Sequence, residues 1–190
     1  MIRLTDAGNK EKWLDGLRDS VAVAQKLGAP VLIAQAGDDL PDLSRETQRV
    51  ELTEALRAAT DILEGTGVRP GAEPLNTRID HIVCFLGSTT EGLDIADEID
   101  RPEIGIVYGI YHSAVMLERT EDVIGNRISR DIHVQIADHP RLQRSRRRQN
   151  RPPPPARLAF VQSYDCSVGL EYRPARADAD DVSSAVRALG

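Results

Sequence analysis

The sequence predicts an α/β fold in which parallel strands alternate with helices. Stretches with apolar residues at three- and four-residue steps, typical of amphipathic helices, alternate with short apolar runs that turn residues enclose. A short run without polar positions is typical of a parallel strand that is covered on both faces. With 190 residues, 41% of them hydrophobic, the chain can bury a single core. These observations favour one domain of alternating strands and helices.

The first two helices have clear apolar stripes, and a strand lies between them. A helix over residues 9–28 is predicted from its stripe, which consists of Leu14, Leu17, Val21, Ala24 and Gly28. The run "APVLIAQAG" that follows is continuously apolar and ends at glycine, which predicts a buried strand. Ser44 is expected to cap a second helix, whose stripe consists of Leu52, Leu56, Ala59 and Leu63.

The second strand is expected before Glu73, but its sequence is unusual for a strand. Pro70 and Gly71 stand where its middle should be. Proline cannot donate a ladder hydrogen bond, and glycine loses more backbone entropy than other residues, so both oppose a strand here.

The second half of the chain continues the alternation. Ser88 to Glu91 form a capping box, which predicts a third helix. Further strands are predicted at "EIGIVYGIYH", "IHVQIAD" and "VGLEY", with a helix from Thr120 to Ile128 and a last helix near Leu189. That makes five predicted strands. One candidate architecture, the (β/α)8 barrel, has eight strands. The other, an open doubly wound sheet, usually has a glycine-rich phosphate loop after its first strand, and this sequence has none there. Length and pattern alone leave both architectures open.

The charge and the cysteines argue against several functions. The net charge of −6 disfavours nucleic acid or anionic lipid as the main partner. Cys84 and Cys166 form no C-x-x-C motif, so they predict neither a zinc finger nor a disulfide framework. No apolar run reaches the roughly 20 residues of a membrane span, and the first residues lack the apolar segment of a signal peptide. We therefore expect a cytoplasmic protein without a membrane partner.

Polar side chains follow four of the predicted strands at the point where each strand ends. They are Glu73, then His112, then Gln135 with Asp138, and last Glu171 with Arg173. The carboxyl ends of parallel strands meet at one edge of the sheet, where parallel α/β proteins build their active sites. The pattern predicts a catalytic or binding site at this edge.

Several of these motifs carry a resemblance to a known family. The stretches "VLIAQAGDDLP", "EPLNTR", "IVYGIYHSAVM", "HVQIAD" and "GLEYRPA" resemble the strand ends of hydroxypyruvate isomerase and its relatives, a branch of the xylose-isomerase-like (β/α)8 barrels. The resemblance implies a TIM barrel of this type that is incomplete, with about five of eight β/α units present. Residues 1–190 are then a single partial barrel domain with an irregular Arg- and Pro-rich segment at 141–159.

The resemblance also implies an activity. The family interconverts hydroxypyruvate and tartronate semialdehyde through an enediolate, which requires an acid and a base near the substrate. By this resemblance Glu73 and Glu171 are the catalytic pair and, together with Gln135, the ligands of Mg²⁺ or Mn²⁺. The residues implied to bind the substrate, a small hydroxy-oxo acid, are His112, Asp138 and Arg173.

Two features set this sequence apart from the family pattern. Gly109 stands where the family has an aspartate ligand, which weakens the expected metal site. The segment 141–159 replaces a glycine-rich substrate loop, and its arginines could neutralise phosphates. Residues 141–157 contain no aromatic residue that could stack on bases, so we expect a solvated loop and no nucleic-acid partner.

Three functions stay open from the sequence. The first is a hydroxypyruvate isomerase, and the second is a 2-oxo-tetronate isomerase of the same family. The third is a non-catalytic remnant or interaction protein of the same descent, which Gly109 and the missing barrel units favour. An incomplete barrel has two open sheet edges, so we expect a homo-oligomer that covers them.

Overall fold

The structure, a computed structural model, describes residues 2–137, Tyr164 and residues 166–171. Its five strands form one parallel sheet in the order β1-β2-β3-β4-β5, so strands that follow each other in the chain are neighbours in the sheet. The strands are β1 Val31–Ala34, β2 Arg69–Ala72, β3 Gly105–Gly109, β4 Asp131–Ile136 and β5 Val168–Leu170. This is the connectivity of a β/α barrel, and five strands make an incomplete one.

Helices connect the strands, and two of them begin at predicted caps. The helices are α1 Lys10–Leu27, α2 Arg45–Leu63, α3 Thr89–Ile99, α4 Ile110–Val115 and α5 Thr120–Val123. The Ser44 side chain accepts a hydrogen bond from the backbone N–H of Thr47, and Ser88 accepts one from Glu91, so both predicted N-caps are confirmed. Gly28 ends α1 in the left-handed conformation, at a φ of 66°.

The hydrophobic core lies between the helices and the sheet. From α2, Leu52, Leu56 and Ala59 of the predicted stripe are fully buried, with 0% of their surface exposed. From the sheet, Ile106 and Val134 are also fully buried and pack against residues of α3 and α5. The burial of apolar surface stabilises the fold and holds the strands that carry the polar edge in place.

The strand that contains Pro70 is present, although its sequence opposes one. β2 pairs with β1 over its whole length, but its ladder with β3 begins only at Gly71. The N–H groups of Arg69 and Glu73 donate to the β1 side, and successive N–H groups alternate in direction. The missing N–H of Pro70 therefore faces the β3 side before that ladder begins. Glycine fits at 71 because an added Cβ atom would lie 2.7 Å from Val107 Cγ2.

Two helical segments also differ from the prediction. β3 ends at Gly109 and α4 follows at once, so His112 lies in a helix rather than at the end of a strand. An apolar run is buried in either conformation, and it does not reveal where the strand gives way to the helix. The helix expected from Thr120 to Ile128 ends after one turn, and Gly125 follows with a left-handed φ of 46°.

The predicted last helix and the segment 141–159 lie outside the described residues. Within the described ranges, no helix has both the length and the apolar character that crossing a membrane requires.

Candidate active site

Three side chains meet at the carboxyl edge of the sheet: Glu73, His112 and Glu171. A potential ligand atom of each lies within 4.8 Å of those of the other two. Glu73 directly follows β2 and Glu171 directly follows β5, as predicted for strand-end carboxylates. The edge therefore brings together two carboxylates and an imidazole, groups that can move protons or hold a cation.

Backbone hydrogen bonds continue the sheet by one residue at both glutamates. The Glu73 N–H donates to the Ala34 carbonyl of β1 over 3.1 Å, and the Glu171 N–H donates to the Ile136 carbonyl of β4 over 3.2 Å. The sheet itself, which is the rigid part of the fold, therefore positions both carboxylates.

Glu73 is a buried carboxyl group with a shifted pKa. The residue is 2% exposed, and burial, followed by the charge of Glu171, raises its pKa to about 7. The charge of His112 and a hydrogen bond with Gln35 act in the opposite direction. Near neutral pH Glu73 therefore occurs in both protonation states, which suits a group that exchanges protons with a substrate.

His112, on α4, lies between Asn76 and Glu171. Its Nε2 atom is 3.7 Å from Glu171 Oε2, and the residue is only 3% exposed. Its Nδ1 atom accepts a hydrogen bond from the backbone N–H of Asn76 over 3.1 Å and lies 2.8 Å from the Asn76 side-chain nitrogen. Because Nδ1 is engaged with Asn76, Nε2 is the nitrogen that faces the glutamates.

Gly109 and Gln135 are opposite each other in the β3–β4 ladder. Gly109 has no side chain to offer, and a Cβ atom added there would lie 2.8 Å from His112 Cδ2. Gln135 is 9% exposed, and its Oε1 atom is buried without a hydrogen-bond partner among the described residues. A buried carbonyl oxygen without a donor is costly, so a bound cation or substrate is the expected partner.

These residues fit a divalent cation. The Oε1 atoms of Glu73 and Gln135 are both buried, and neither has a partner within the part of the chain that the structure describes. With the Glu171 carboxylate they could supply oxygen donors from three side chains, and such donors suit hard cations such as Mg²⁺ or Mn²⁺. Gly109 adds no donor to this set.

Two of the predicted site residues, Asp138 and Arg173, lie outside the described residues, so their roles stay predictions. Four residues of the site did not emerge from the sequence. They are Gln35, Asn76, Asp80 and Tyr111. Gln35 directly follows β1, so the strand-end rule that found the glutamates could also have found it. The other three act through contacts with His112 or with each other, which residue spacing does not reveal.

A parallel β/α sheet with paired carboxylates at its carboxyl edge is the arrangement of the β/α-barrel class of proteins, which build their sites at this edge. The sequence profile of the family described as "Xylose isomerase-like TIM barrel" matches residues 3–182. The chain belongs to this family, and the predicted fold class, an incomplete barrel of this type, is confirmed.

Curated relatives carry the names of isomerases. Hydroxypyruvate isomerase of Escherichia coli (strain K12) is 25% identical over 167 residues, which cover 88% of this chain and 64% of the relative. The 2-oxo-tetronate isomerase of Pectobacterium atrosepticum is 27% identical over 164 residues, which cover 84% of this chain and 62% of the relative. The chain therefore spans slightly less than two thirds of the length of these proteins.

Solved structures share the fold. AP endonuclease, family 2, from Brucella melitensis has a TM-score of 0.81 at 23% identity, with 95% of this chain and 69% of that chain covered. The IOLI protein, solved with a bound zinc atom, has a TM-score of 0.71 at 18% identity, with 92% and 66% covered. At these identities the likeness shows the fold alone.

Proposed function

We propose that this protein is a metal-dependent isomerase of small hydroxy-oxo acids that interconverts hydroxypyruvate and tartronate semialdehyde. The observation that carries the proposal is the pair of Glu73 and Glu171, which share one edge of the sheet with His112. The curated relatives with isomerase names support the same class of reaction.

The reaction moves one proton between two adjacent carbons. A base takes a proton from C3 of hydroxypyruvate, the electrons of that C–H bond form the enediolate, and an acid returns a proton to C2. The proton of the C3 hydroxyl passes to the C2 oxygen, so the carbonyl group changes places and no oxidant or reductant is consumed. Glu73, with a pKa of about 7, can give or take a proton at neutral pH, and Glu171 performs the complementary transfer.

The remaining site residues orient the substrate and hold a cation. Glu73, Gln135 and Glu171 would hold Mg²⁺ or Mn²⁺, which when bound supplies positive charge that stabilises the enediolate. His112 directs Nε2 towards the substrate oxygens, and burial of this residue keeps water away from the transfer. The further substrate-binding residues that we propose are Asp138 and Arg173. The IOLI protein holds zinc, but the oxygen donors here favour a harder cation.

The test is turnover of hydroxypyruvate by the purified protein with and without Mn²⁺. Turnover is measured as the formation of tartronate semialdehyde. We expect metal-dependent turnover that Glu171→Gln lowers about 10²- to 10⁴-fold. Glu98→Gln, which changes a surface carboxylate paired with Arg49, is the matched control and should leave turnover unchanged. Full turnover in the Glu171 variant would contradict its assigned role. A wild-type protein without turnover in the presence of Mn²⁺ would contradict the proposed activity.

Two alternatives are each favoured by one observation. The Pectobacterium relative favours 2-oxo-tetronates as substrates, so the same assay is run with these compounds. Gly109 favours a non-catalytic protein of the same family, because the position opposite Gln135 supplies no ligand. That alternative predicts neither turnover nor binding of Mn²⁺.

A further inference from the structure

We propose that Asn76 is a positioning residue that holds His112 in the neutral tautomer with its proton on Nε2. The catalytic consequence of this arrangement rests on the proposed function, but the arrangement itself does not. It is carried by hydrogen bonds among four residues at the edge of the site: Asn76, Asp80, Tyr111 and His112.

The hydrogen bonds around Asn76 define the orientation of its side-chain amide. Asn76 is fully buried, at 0% exposure. Its Oδ1 atom accepts hydrogen bonds from the backbone N–H groups of Ile79 and Asp80, over 3.2 and 3.0 Å. Backbone N–H groups can only donate, so this atom must be the oxygen. The Nδ2 atom, with two hydrogens, then points to Asp80 Oδ2 at 2.9 Å and to His112 Nδ1 at 2.8 Å.

Asp80 keeps the amide in this orientation. Its Oδ2 atom also accepts a hydrogen bond from the Tyr111 hydroxyl over 2.7 Å. Desolvation acts to raise the pKa of Asp80, but the hydrogen bonds from Tyr111 and Asn76, together with the nearby imidazoles of His81 and His112, lower the pKa below its usual value. Asp80 is therefore an ionised acceptor at neutral pH, and it holds a hydrogen of the Asn76 amide.

The tautomer of His112 follows from these contacts. Both the backbone N–H and the side-chain amide of Asn76 point their hydrogens at Nδ1. A nitrogen that accepts hydrogen bonds cannot carry a proton of its own, so the proton of neutral His112 must be on Nε2. That N–H is directed to the side of Glu171, whose Oε2 atom lies 3.7 Å away.

This tautomer determines what His112 can do in the site. A protonated Nε2 can donate a hydrogen bond to a substrate oxygen or to Glu171, but it has no lone pair for a cation. His112 is thereby excluded from the ligands although its ring is close to both glutamates. Asn76, which is not among the proposed ligands, thereby keeps the cation ligands and the hydrogen-bond donor apart.

The first measurement is the tautomer of His112 in the wild-type protein. Long-range ¹H–¹⁵N correlation spectra at about pH 8.5, well above the ordinary imidazole pKa, distinguish a bare ring nitrogen from a protonated one. The resonances are assigned by their loss in His112→Gln. We expect a bare Nδ1 and a protonated Nε2. A protonated Nδ1 in the wild-type protein would overturn the proposal.

A double variant separates positioning from structural support. Asn76→Asp alone places a carboxylate against Asp80 and should lower the thermal midpoint. Combining it with Asp80→Asn restores a donor–acceptor pair with the direction reversed, and the Tyr111 hydroxyl can accept as well as donate. The double variant should therefore recover the thermal midpoint. A carboxylate oxygen now faces His112 Nδ1, and its charge-assisted hydrogen bond should outweigh the neutral one from the backbone N–H of residue 76 and draw a proton onto Nδ1.

In the double variant, the tautomer of His112 tests the role of Asn76, and kcat tests the catalytic consequence of that tautomer. We expect Nδ1 to carry a proton and kcat to fall about 10²-fold, as for the loss of an oriented donor, with a smaller change in KM. The backbone N–H of residue 76 still points at Nδ1 in the double variant. If His112 keeps a bare Nδ1 there, the backbone and not the Asn76 side chain fixes the tautomer, and the proposed role of the side chain fails. If the wild-type protein shows the expected tautomer but no turnover, the proposed function fails and the role of Asn76 stands.

Discussion

The imidazole of His112 lies against Gly109, with its Cδ2 atom 2.8 Å from the place that a Cβ atom of residue 109 would occupy. Carbon atoms in favourable contact are about 3.5–4.0 Å apart, so a side chain at this position displaces the ring. Asn76 holds the ring through Nδ1. The glycine therefore does more than leave out a ligand, because it also makes room for His112 in its present position.

Gly109→Asp is expected to strengthen cation binding at a cost in stability. The new carboxylate adds an oxygen donor, which should raise the affinity for Mn²⁺ about 10- to 100-fold. The contact with His112 should lower the free energy of unfolding by about 1–3 kcal/mol. Gly109→Ala is the matched control, because it introduces the same Cβ contact without a carboxylate. Calorimetric titration with Mn²⁺ and urea unfolding measure the two effects, and equal affinities in the two variants would contradict the proposed ligand position.

The folded protein raises the pKa of Glu73 from 4.5 to about 7. The contribution of Glu73 to the stability of the metal-free protein should therefore fall as the pH rises from about 4.5 to about 7. The folded state binds this proton more tightly, so the stabilisation is complete below the ordinary pKa and is lost as the pH passes the raised one. At about 1.4 kcal/mol for each pH unit, the loss is on the order of 3 kcal/mol. Glu73→Gln removes this titration. Urea unfolding over a pH series should show the variant gaining on the wild type as the pH rises, and a constant difference would contradict the assignment.

Asp131, at the start of β4, provides a second titration for comparison. It is 2% exposed, and its Oδ2 atom has no partner among the described residues. Burial raises its pKa to about 8, although backbone hydrogen bonds from His133 and Tyr108 act against this. By the same linkage, Asp131→Asn should raise the free energy of unfolding relative to the wild type, and this gain should be larger above about pH 8 than at about pH 4. The affinity for Mn²⁺ should not change, since Asp131 lies at the start of β4 and the proposed ligands lie at the opposite, carboxyl edge of the sheet. A large loss of affinity would count against the proposed ligands.

Gly71→Ala should destabilise the sheet. A Cβ atom at this position would lie 2.7 Å from Val107 Cγ2 and 3.0 Å from the Ile106 backbone carbon, which cannot move without disturbing β3. We expect a loss of about 1–3 kcal/mol in the free energy of unfolding. Gly16→Ala in α1 is the control, because nothing lies within 4 Å of its Cβ position and alanine favours the helix by about 0.5–1 kcal/mol. Opposite changes in the urea midpoint are expected, and a neutral Gly71 variant would show that β2 and β3 can separate.

Local signals explain which parts of the structure could be predicted from the sequence. Ser44 and Ser88 cap helices through bonds to residues three positions away, so the sequence contains both partners. Glu73 and Glu171 could be predicted because parallel strands bring their carboxyl ends to the same edge. The resemblance to a family then supplied the chemistry that composition and spacing could not.

The features that were missed depend on partners distant in the chain. Pro70 is compatible with β2 only because the ladder with β3 begins one residue later, and that register is a property of the assembled sheet. The role of Asn76 cannot be predicted from spacing, since it depends on His112, which lies 36 positions away. The start of α4 was also missed, because buried helices and buried strands are both apolar.

The positions of Glu73 and Glu171 couple the site to the whole sheet. They follow β2 and β5, and β3 and β4 lie between these two strands. A ligand that bridges the two carboxylates therefore links β2 to β5 across three strand–strand ladders. It also closes a loop of the chain that runs from Glu73 to Glu171. Release of β5 from the sheet would release the ligand, so β5 can open no more often than a bound cation exchanges.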